Sequence, residues 1–269
     1  MSRIAETFAA IRRRGRTGLV TFVTVGFPDV AATLAIVPAL IEGGADIIEL
    51  GFPFSDPIGE GPTIQRSSYH ALQQGVTLAA SIEVAAQLRR TGVGAPLVLM
   101  GYLNPLLSYG PQRFYADAAA AGIDGLIVVD ATVDEAAEVH AEAAGAGLDP
   151  IQLVAPTTTD ERLARLLPTA SGFVYCVSVS GVTGARGHLS PALPALVARV
   201  RRHTDLPIAV GFGVSTAEHV ASIGQLCEAA VIGSAIVDVI ERAPPGECVR
   251  RVREYVEEVT GRRRAADLV

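Results

Sequence analysis

Short runs that are apolar at every position alternate along the chain with longer stretches whose apolar residues recur at helical spacing. Two of the longer stretches, DVAATLAIVPALIEGG and TVDEAAEVHAEAAGAG, end in glycine, as helices often do. Continuous apolar runs are typical of parallel strands that are buried on both faces, whereas a half-buried strand alternates. We predict eight strands: GLVTFVTVG (18–26), ADIIELG (45–51), APLVLMGY (95–102), IDGLIVVD (123–130), LDPIQLVA (148–155), GFVYCVS (172–178), LPIAVGFG (206–213) and EAAVIGSAIV (228–237).

Eight strand–helix units in a chain of 269 residues predict an α/β fold, a single (β/α)8 TIM barrel. A doubly wound open sheet is the alternative, and it is less favoured because no GxGxxG sequence opens the first unit. Neither a linker nor a low-complexity segment divides the chain, so we predict one domain over residues 1–269. In such a barrel the chemistry lies at the carboxyl ends of the strands.

Composition narrows the classes of function. Hydrophobic residues make up 49% of the chain and the mean hydropathy is +0.37, which allows a sizeable core. The apolar runs are too short for a membrane span, and the segment MSRIAETFAAIRRRGR lacks the features of a signal peptide, so we predict a cytoplasmic protein. The net charge is −6 and no long basic run is present, which argues against a nucleic-acid partner.

The chain contains no lysine, because all 22 of its basic residues are arginine. A Schiff base and a covalently held pyridoxal phosphate both need a lysine amine, so we exclude both for this chain. Cys176, Cys227 and Cys248 are far apart and predict reduced structural thiols. The five histidines are scattered without HxH or HExxH spacing, so we predict no metal site.

Three carboxylates lie in the stretch ELGFPFSDPIGEGPTIQ, residues 49 to 65, which begins at the end of the second predicted strand. Glu49 has the same parity as Ile47 and Gly51, so it points into the barrel mouth, where burial would raise its pKa toward that of a general acid or base. Glu60 lies in the loop and can reach across the mouth, with a solvated loop acid as the alternative. Asp56 is predicted to be a turn residue or a loop contact, because SDP commonly opens turns.

Glycine-rich sequences lie at or after the carboxyl ends of the sixth, seventh and eighth predicted strands. GFGVS (211–215) and IGSA (232–235) combine small residues with helix-start amides, and Ser234 adds a hydroxyl. Because this is the usual phosphate position in such barrels, we predict a phosphate site there, although glycines also end barrel strands for steric reasons alone. SGVTGARG (180–187) is either a lid over a ligand or a flexible loop.

Six stretches resemble the tryptophan synthase α subunit family along nearly the whole chain: ELGFPFSDPIGEGPTIQ, LMGYLNPLLSYG, LVAPTTTDERL, YCVSVSGVTGARG, PIAVGFGVS and VIGSAIV. The resemblance implies a (β/α)8 barrel that acts as a lyase in tryptophan biosynthesis. It would cleave indole-3-glycerol phosphate to indole and glyceraldehyde 3-phosphate by a retro-aldol reaction. The family uses neither a Schiff base nor a metal, which agrees with the two exclusions above.

The resemblance also implies roles for individual residues. Glu49 would be the acid–base carboxylate, and Glu60 would hold the indole N–H and stabilise positive charge on the ring. Thr183 would position the loop carboxylate when the lid closes. The indole pocket would be lined by Phe22, Met100, Tyr102, Leu153 and Tyr175, and phosphate would be bound by Gly184, Gly213, Gly233 and Ser234.

A partner is implied by the same resemblance. The family works with a pyridoxal-phosphate β subunit, often as an αββα tetramer, and no cofactor is expected in the α chain. Loop 53–60, with Asp56 and Pro57, and the loop around Asn104 would face the β subunit.

The chain departs from the family at two places. Where the family has aspartate in DPLADGP, this chain has Glu60 in DPIGEGP, and its side chain is longer by one methylene. Misplacing a catalytic group by about 1 Å can cost on the order of a hundredfold in rate. In addition, VVDATVDEA stands where VPDLPPEEA is usual, which affects the expected partner contacts or the local loop shape.

Alternatives to an active α subunit therefore remain. One is a weakly active or inactive homologue that binds and activates a β subunit, and another is a freestanding lyase that releases indole for a different pathway. Indoleglycerol phosphate synthase is a poor candidate, because its catalysis relies on lysine.

Overall fold

Nine parallel strands run through the residues that the computed structural model describes, which are 1–177, 191–211 and 213–262. They are Gly18–Thr24 (β1), Ile47–Gly51 (β2), Leu97–Gly101 (β3), Gly125–Val128 (β4), Asp149–Pro150 (β5), Gln152–Val154 (β6), Val174–Val177 (β7), Ile208–Gly211 (β8) and Ala229–Ile232 (β9). Their order in the sheet is β5-β4-β3-β2-β1-β9-β8-β7-β6. The two ends of this order, β5 and β6, are separated along the chain only by Ile151, so the sheet is a nearly closed barrel. The prediction of a (β/α)8 barrel is confirmed.

Each of the eight predicted strands is present, and the fifth is divided into β5 and β6. Before the break β5 pairs with β4, and after it β6 pairs with β7. The eighth prediction, 228–237, was too long, because β9 ends at Ile232 and a helix begins at Ser234. Beyond Gly233 the buried residues Ile236, Val237 and Ile240 recur at helical spacing. The start of this helix is nearly as apolar as the strand before it, so the boundary between them is not visible in the sequence.

Twelve α-helices surround the barrel within the described ranges. They are Arg3–Arg13 (α1), Val30–Gly43 (α2), Pro62–Gln73 (α3), Leu78–Arg90 (α4), Leu103–Tyr109 (α5), Pro111–Ala120 (α6), Val133–Gly145 (α7), Asp160–Leu166 (α8), Leu193–Arg201 (α9), Ala217–Gly224 (α10), Ser234–Arg242 (α11) and Cys248–Val259 (α12). Leu167–Thr169 forms a 3-10 turn after α8. Many helices begin at a side-chain cap, and at α7 Thr132 and Glu135 form a complete capping box.

Every residue of β1, β2 and β3 is buried, which explains why these strands are apolar without alternation. One face of each strand fills the barrel interior and the other packs against helices. Within residues 1–177, 191–211 and 213–262, no helix has both the length and the apolar character that a membrane span requires.

Three acidic residues close the amino-terminal end of the barrel, and we call them the floor carboxylates: Asp46, Asp124 and Glu228. Each immediately precedes a strand and accepts the backbone N–H of a residue at the start of the neighbouring strand, at 2.8–2.9 Å. Each also pairs with an arginine, in the pairs Arg16–Asp46, Arg89–Asp124 and Arg201–Glu228. The opposite end of the barrel is therefore left for the functional loops.

Candidate active site

Glu49 lies on β2, where it is paired in register with Phe22 of β1 and Val98 of β3. Its side chain is fully buried, at 0% exposure. Neither carboxylate oxygen has a hydrogen-bond partner among the described residues. A buried carboxylate without donors favours its neutral form, because ionisation there lacks the solvation that water supplies.

The pKa values of Glu49 and Glu60 are both raised toward neutrality. Burial raises the pKa of Glu49 from 4.5 to about 8, and the negative charge of Glu60 adds to the effect. Burial also raises the pKa of Glu60 from 4.5 to about 7. The charge of Glu60 therefore acts on Glu49, and both carboxyl groups have pKa values near neutral pH.

The loop between β2 and α3 brings Glu60 to the barrel mouth. A turn within the loop is closed by Ile58 N–H donating to Asp56 O and by Glu60 N–H donating to Pro57 O, at 2.8 and 3.0 Å. The neighbouring Gly59 N–H donates to the hydroxyl of Tyr102, at 3.0 Å, which ties the loop to the end of β3.

A cavity opens at this mouth, and its empty space of about 310 Å³ includes open solvent. Four predicted site residues line it: Phe22, Met100, Tyr102 and Glu60. Its walls are mostly apolar and aromatic, so it suits a flat aromatic ring with Glu60 at its edge. Pro57 also lines the cavity, although it was predicted only to face a partner. Seven further lining residues were not predicted: Thr24, Gly51, Phe52, Phe54, Ile64, Ser68 and Gly101.

Some of these missed residues carry a signal in the sequence. Thr24 has the same strand parity as Phe22, so it also faces inward. Gly51 follows Glu49 on the same face, and a Cβ at that position would lie 2.4 Å from the Phe22 ring. Glycine is therefore required there for the Phe22 ring to reach the mouth. By contrast, the α3 residues of the cavity had no comparable signal.

Tyr175 lies on β7, where it is paired with Leu153 of β6, and its side chain is buried. The pKa of Tyr175 is raised well above 10 by burial and by the negative charges of Glu49 and Glu60. Tyr175 therefore lies near enough to both carboxylates for their charges to act on its phenol group. Leu153 is half-buried beside it. Glu49, Leu153 and Tyr175 are not among the residues that line the cavity.

The predicted phosphate residues follow β8 and β9. Gly213 has a φ of 74°, and a Cβ there would meet no atom within 4 Å, so open space borders it. Gly233 immediately precedes α11, and Ser234 is its first residue and is exposed. The first-turn amides of a helix lack partners within the helix and point toward an approaching anion. Thr183 and Gly184, with the predicted lid 180–187, lie outside the described residues.

The residues predicted to face a partner lie on the loop after β2 and on α5, which follows β3. Asp56 and Asn104 are exposed, whereas Pro57 is half-buried and also lines the cavity. Two exposed apolar side chains belong to the same two segments and were not predicted: Ile58 of the loop is 86% exposed and Leu107 of α5 is 52% exposed.

Among residues 1–177, 191–211 and 213–262, no three His, Cys, Asp or Glu side chains are grouped so that they could hold a metal ion. The site therefore consists of two carboxyl groups of raised pKa, an aromatic cavity and a helix start. Fold and site together define the class of (β/α)8-barrel proteins that carry acid–base residues at the carboxyl ends of their strands.

Comparisons with known proteins narrow this class to one family. A family model described as "Tryptophan synthase alpha chain" matches residues 8–264. The chain belongs to the tryptophan synthase alpha chain family, and it is thus a lyase in tryptophan biosynthesis.

Relatives of this family match nearly the whole chain. The tryptophan synthase alpha chain of Roseiflexus castenholzii is 52% identical over 261 residues, which is 97% of this chain and 100% of that protein. The alpha chain of Geobacter sulfurreducens is 48% identical over 256 residues, 95% of this chain and 97% of the relative. A solved structure of Mycobacterium tuberculosis tryptophan synthase is 40% identical, with a TM-score of 0.88 and 97% of each chain covered.

Proposed function

We propose that the chain cleaves indole-3-glycerol phosphate to indole and glyceraldehyde 3-phosphate, with Glu49 and Glu60 as its catalytic carboxyl groups. The observation that carries the proposal is the pair of carboxyl groups on β2 and on the loop that follows it, whose pKa values are raised to about 8 and about 7. General acid–base catalysis is most efficient when the pKa lies near the working pH.

In the first step Glu49 acts as an acid. Its raised pKa keeps it protonated at neutral pH, so it donates a proton to C3 of the indole ring. The ring then carries positive charge at its nitrogen, and ionised Glu60 accepts a hydrogen bond from the ring N–H. A negative charge beside a developing positive charge stabilises the transition state, and burial strengthens this interaction.

In the second step the same Glu49, now ionised, accepts the proton of the hydroxyl group on the glycerol carbon bonded to C3. The bond between C3 and this carbon breaks, its electron pair returns to the ring, and the hydroxyl becomes the aldehyde. Glu49 finishes protonated, as it began. The ring itself accepts the electrons, so the reaction needs no Schiff base, which agrees with a chain that contains no lysine.

The remaining predicted residues bind and orient the substrate. Phe22, Met100 and Tyr102, with Leu153 and Tyr175 further inside, would hold the indole ring. Gly184, Gly213, Gly233 and Ser234 would bind phosphate through backbone amides and the serine hydroxyl, without a lysine side chain. Thr183 would help position Glu60 when the substrate is bound. When the indole ring and the phosphate are both bound, the bond between indole C3 and the glycerol carbon is aligned with Glu49.

We further propose a tryptophan synthase β subunit as partner, in an αββα tetramer that carries pyridoxal phosphate in its β subunits. The exposed residues Asp56, Ile58, Asn104 and Leu107 provide a mixed polar and apolar surface at the mouth, and Pro57 joins that surface to the cavity. The related protein of Saccharomyces cerevisiae, named tryptophan synthase, is 49% identical, and this chain covers only 36% of it. That longer protein has room for a second unit, which a separate subunit would supply here. We also propose a single domain over residues 1–269 and a cytoplasmic location.

Indole release from indole-3-glycerol phosphate by the purified chain, with and without a β subunit, tests the proposal. Glu49→Gln should lower kcat by roughly 10²–10⁴-fold, the usual contribution of a general acid–base group. Glu60→Asp should retain or raise kcat, because it preserves the charge. Undiminished turnover by Glu49→Gln would contradict the mechanism.

The partner arm of the experiment separates the alternatives. Release that rises with the β subunit, together with a sedimentation mass of an αββα complex, would support the tetramer. Strong release that ignores the β subunit would favour a freestanding lyase. No release, with the β subunit still activated, would favour a partner-binding homologue without lyase activity.

A further inference from the structure

The loop that carries Glu60 is attached at its start to a buried hydroxyl on α3. Ser68 Oγ accepts the backbone N–H of Phe54 and donates to the carbonyl oxygen of the same residue, each at 2.9 Å. The Ser68 side chain is 4% exposed and lines the cavity. One hydroxyl therefore satisfies both main-chain polar groups of Phe54, which would otherwise lose a partner at considerable cost.

Phe54 is connected to the far end of the loop through Tyr102. The Phe54 and Tyr102 rings are in contact, with centroids 5.1 Å apart and planes at 30°. The Tyr102 hydroxyl in turn accepts the N–H of Gly59, the residue directly before Glu60. A displacement of Phe54 would thus be transmitted through two contacts to the backbone that holds the carboxylate.

We propose that Ser68 is a positioning residue for the cleavage reaction, because its hydroxyl holds the loop where the Glu60 carboxylate meets the substrate ring. This inference rests on the proposed function and assigns a further residue to the same site. A glutamate has one more rotatable bond than an aspartate, so the location of its carboxylate depends strongly on a fixed backbone. Errors of about 1 Å in such a group cost on the order of a hundredfold in rate.

A double-mutant cycle between Ser68 and Glu60 tests the proposal. Ser68→Ala should lower kcat for indole release by roughly 10- to 100-fold, with KM changed less than about threefold. In a Glu60→Ala background the same Ser68→Ala change should have no further effect on kcat, because the group that it positions is gone. An equal loss of kcat in both backgrounds would overturn the proposal.

Two more variants separate positioning from general stability. Ser81→Ala removes another fully buried serine hydroxyl, which donates to Thr77 O at 3.0 Å in α4, and it should leave kcat unchanged. Ser68→Cys keeps nearly the same volume but forms only weak hydrogen bonds, so it should lower kcat in the same direction as Ser68→Ala. It also serves as the test variant if Ser68→Ala does not fold. Full activity of Ser68→Cys would contradict the proposal.

A titration without substrate gives a readout that does not depend on activity. The carboxyl carbon of Glu60 is followed by ¹³C NMR and is identified by its absence from Glu60→Gln. In Ser68→Ala we expect the apparent pKa of Glu60 to fall from about 7 toward 4.5, because a displaced loop is more hydrated. An unchanged value would overturn the positioning role. A wild-type chain that releases no indole, yet shows this shift in the variant, would refute only the proposed function.

Discussion

At the scale of single residues, Glu49 acquires its chemistry from its surroundings. A glutamate in water has a pKa near 4.5, whereas burial on β2 and the charge of Glu60 raise this value to about 8. The same side chain on a solvated helix would be ionised at neutral pH and could not act as an acid. The functional property is therefore a consequence of the position in the barrel.

The raised pKa values predict a narrow pH optimum. Glu60 must be ionised and Glu49 protonated, so kcat/KM for indole release should rise with pH through about 7 and fall above about 8. A pH profile of kcat/KM with the free chain measures both limits. Glu60→Asp should shift the acidic limb while leaving the alkaline limb in place. A plateau that extends to pH 10 would contradict the assignment of Glu49 as the acid.

The two departures from the family pattern meet in the structure. Gly59 belongs to DPIGEGP and Val129 to VVDATVDEA, and a Cβ on Gly59 would lie 3.0 Å from Val129 Cγ1 and 3.2 Å from Tyr102 Oη. Both contacts are tighter than side chains normally adopt. Glycine at position 59 thus leaves room for the side chains of Val129 and Tyr102, and the loop that carries Glu60 packs against these two residues.

At the scale of elements, α3 links the two halves of the candidate site. Its Ser68 holds Phe54 at the start of the Glu60 loop. Its Thr63 hydroxyl donates to Asp238 of α11 at 3.1 Å, and α11 begins with the predicted phosphate residue Ser234. One helix therefore contacts both the loop that carries a carboxylate and the helix that would bind phosphate.

The floor carboxylates make the same set of contacts at three places in the barrel. An acidic residue directly before a strand accepts a backbone N–H of the neighbouring strand and binds an arginine at three places in the barrel. Arginine suits this role because its planar fork binds a carboxylate and carbonyl oxygens together. Arg89, for example, also donates to the carbonyl oxygens of Gly122, Val93 and Ala95.

We expect Asp124→Asn to destabilise the fold without harming catalysis. Asp124 binds Arg3, Arg89 and the N–H of Leu97, so the loss of its charge should lower the free energy of unfolding by about 2 kcal/mol. Urea unfolding measures the stability, and kcat should stay within about twofold, because the floor lies opposite the site.

Asp134→Asn is the matched control for this change. Asp134 pairs with Arg165 at the surface with 85% of its side chain exposed, so its replacement should have little effect on stability. A fall in kcat for Asp124→Asn with unchanged stability would contradict a purely structural role of the floor.

At the scale of the whole molecule, the buried carboxyl groups make stability depend on pH. The folded-state pKa of Glu49 is about 8 and its unfolded value is 4.5, so the folded chain binds more protons between these two limits. The free energy of unfolding should therefore decrease as pH rises through this window.

Glu49→Gln should remove most of this dependence. Between pH 6 and pH 9 its free energy of unfolding should fall less than that of the wild type, by about 2–3 kcal/mol, at 1.36 kcal/mol per pKa unit. Urea unfolding at both pH values measures the difference, with the exposed Glu138→Gln as control. Equal declines in wild type and Glu49→Gln would show that Glu49 is not neutral in the folded state.

The sequence alone was sufficient for the strands and for the class of fold. A parallel strand that is buried on both faces must be apolar throughout, so its signal is local and is readable without a structure. Strand parity likewise predicted that Glu49 faces inward, since alternate residues point to opposite faces of a strand. The end of β9 was misjudged, because the start of α11 is apolar too.

Only the tertiary structure determined which distant residues share the site. Ile64 and Ser68 of α3 reach the cavity because that helix packs beside the mouth, and their sequence spacing contains no sign of this. The raised pKa values of both glutamates likewise require burial in the folded barrel, and the pKa of Glu49 is raised further by the charge of Glu60. Residue types and periodicity are local properties, and they are sufficient to predict the fold. Burial and electrostatic coupling arise from neighbours that are distant in sequence, so the pKa values that the chemistry needs appear only in the folded chain.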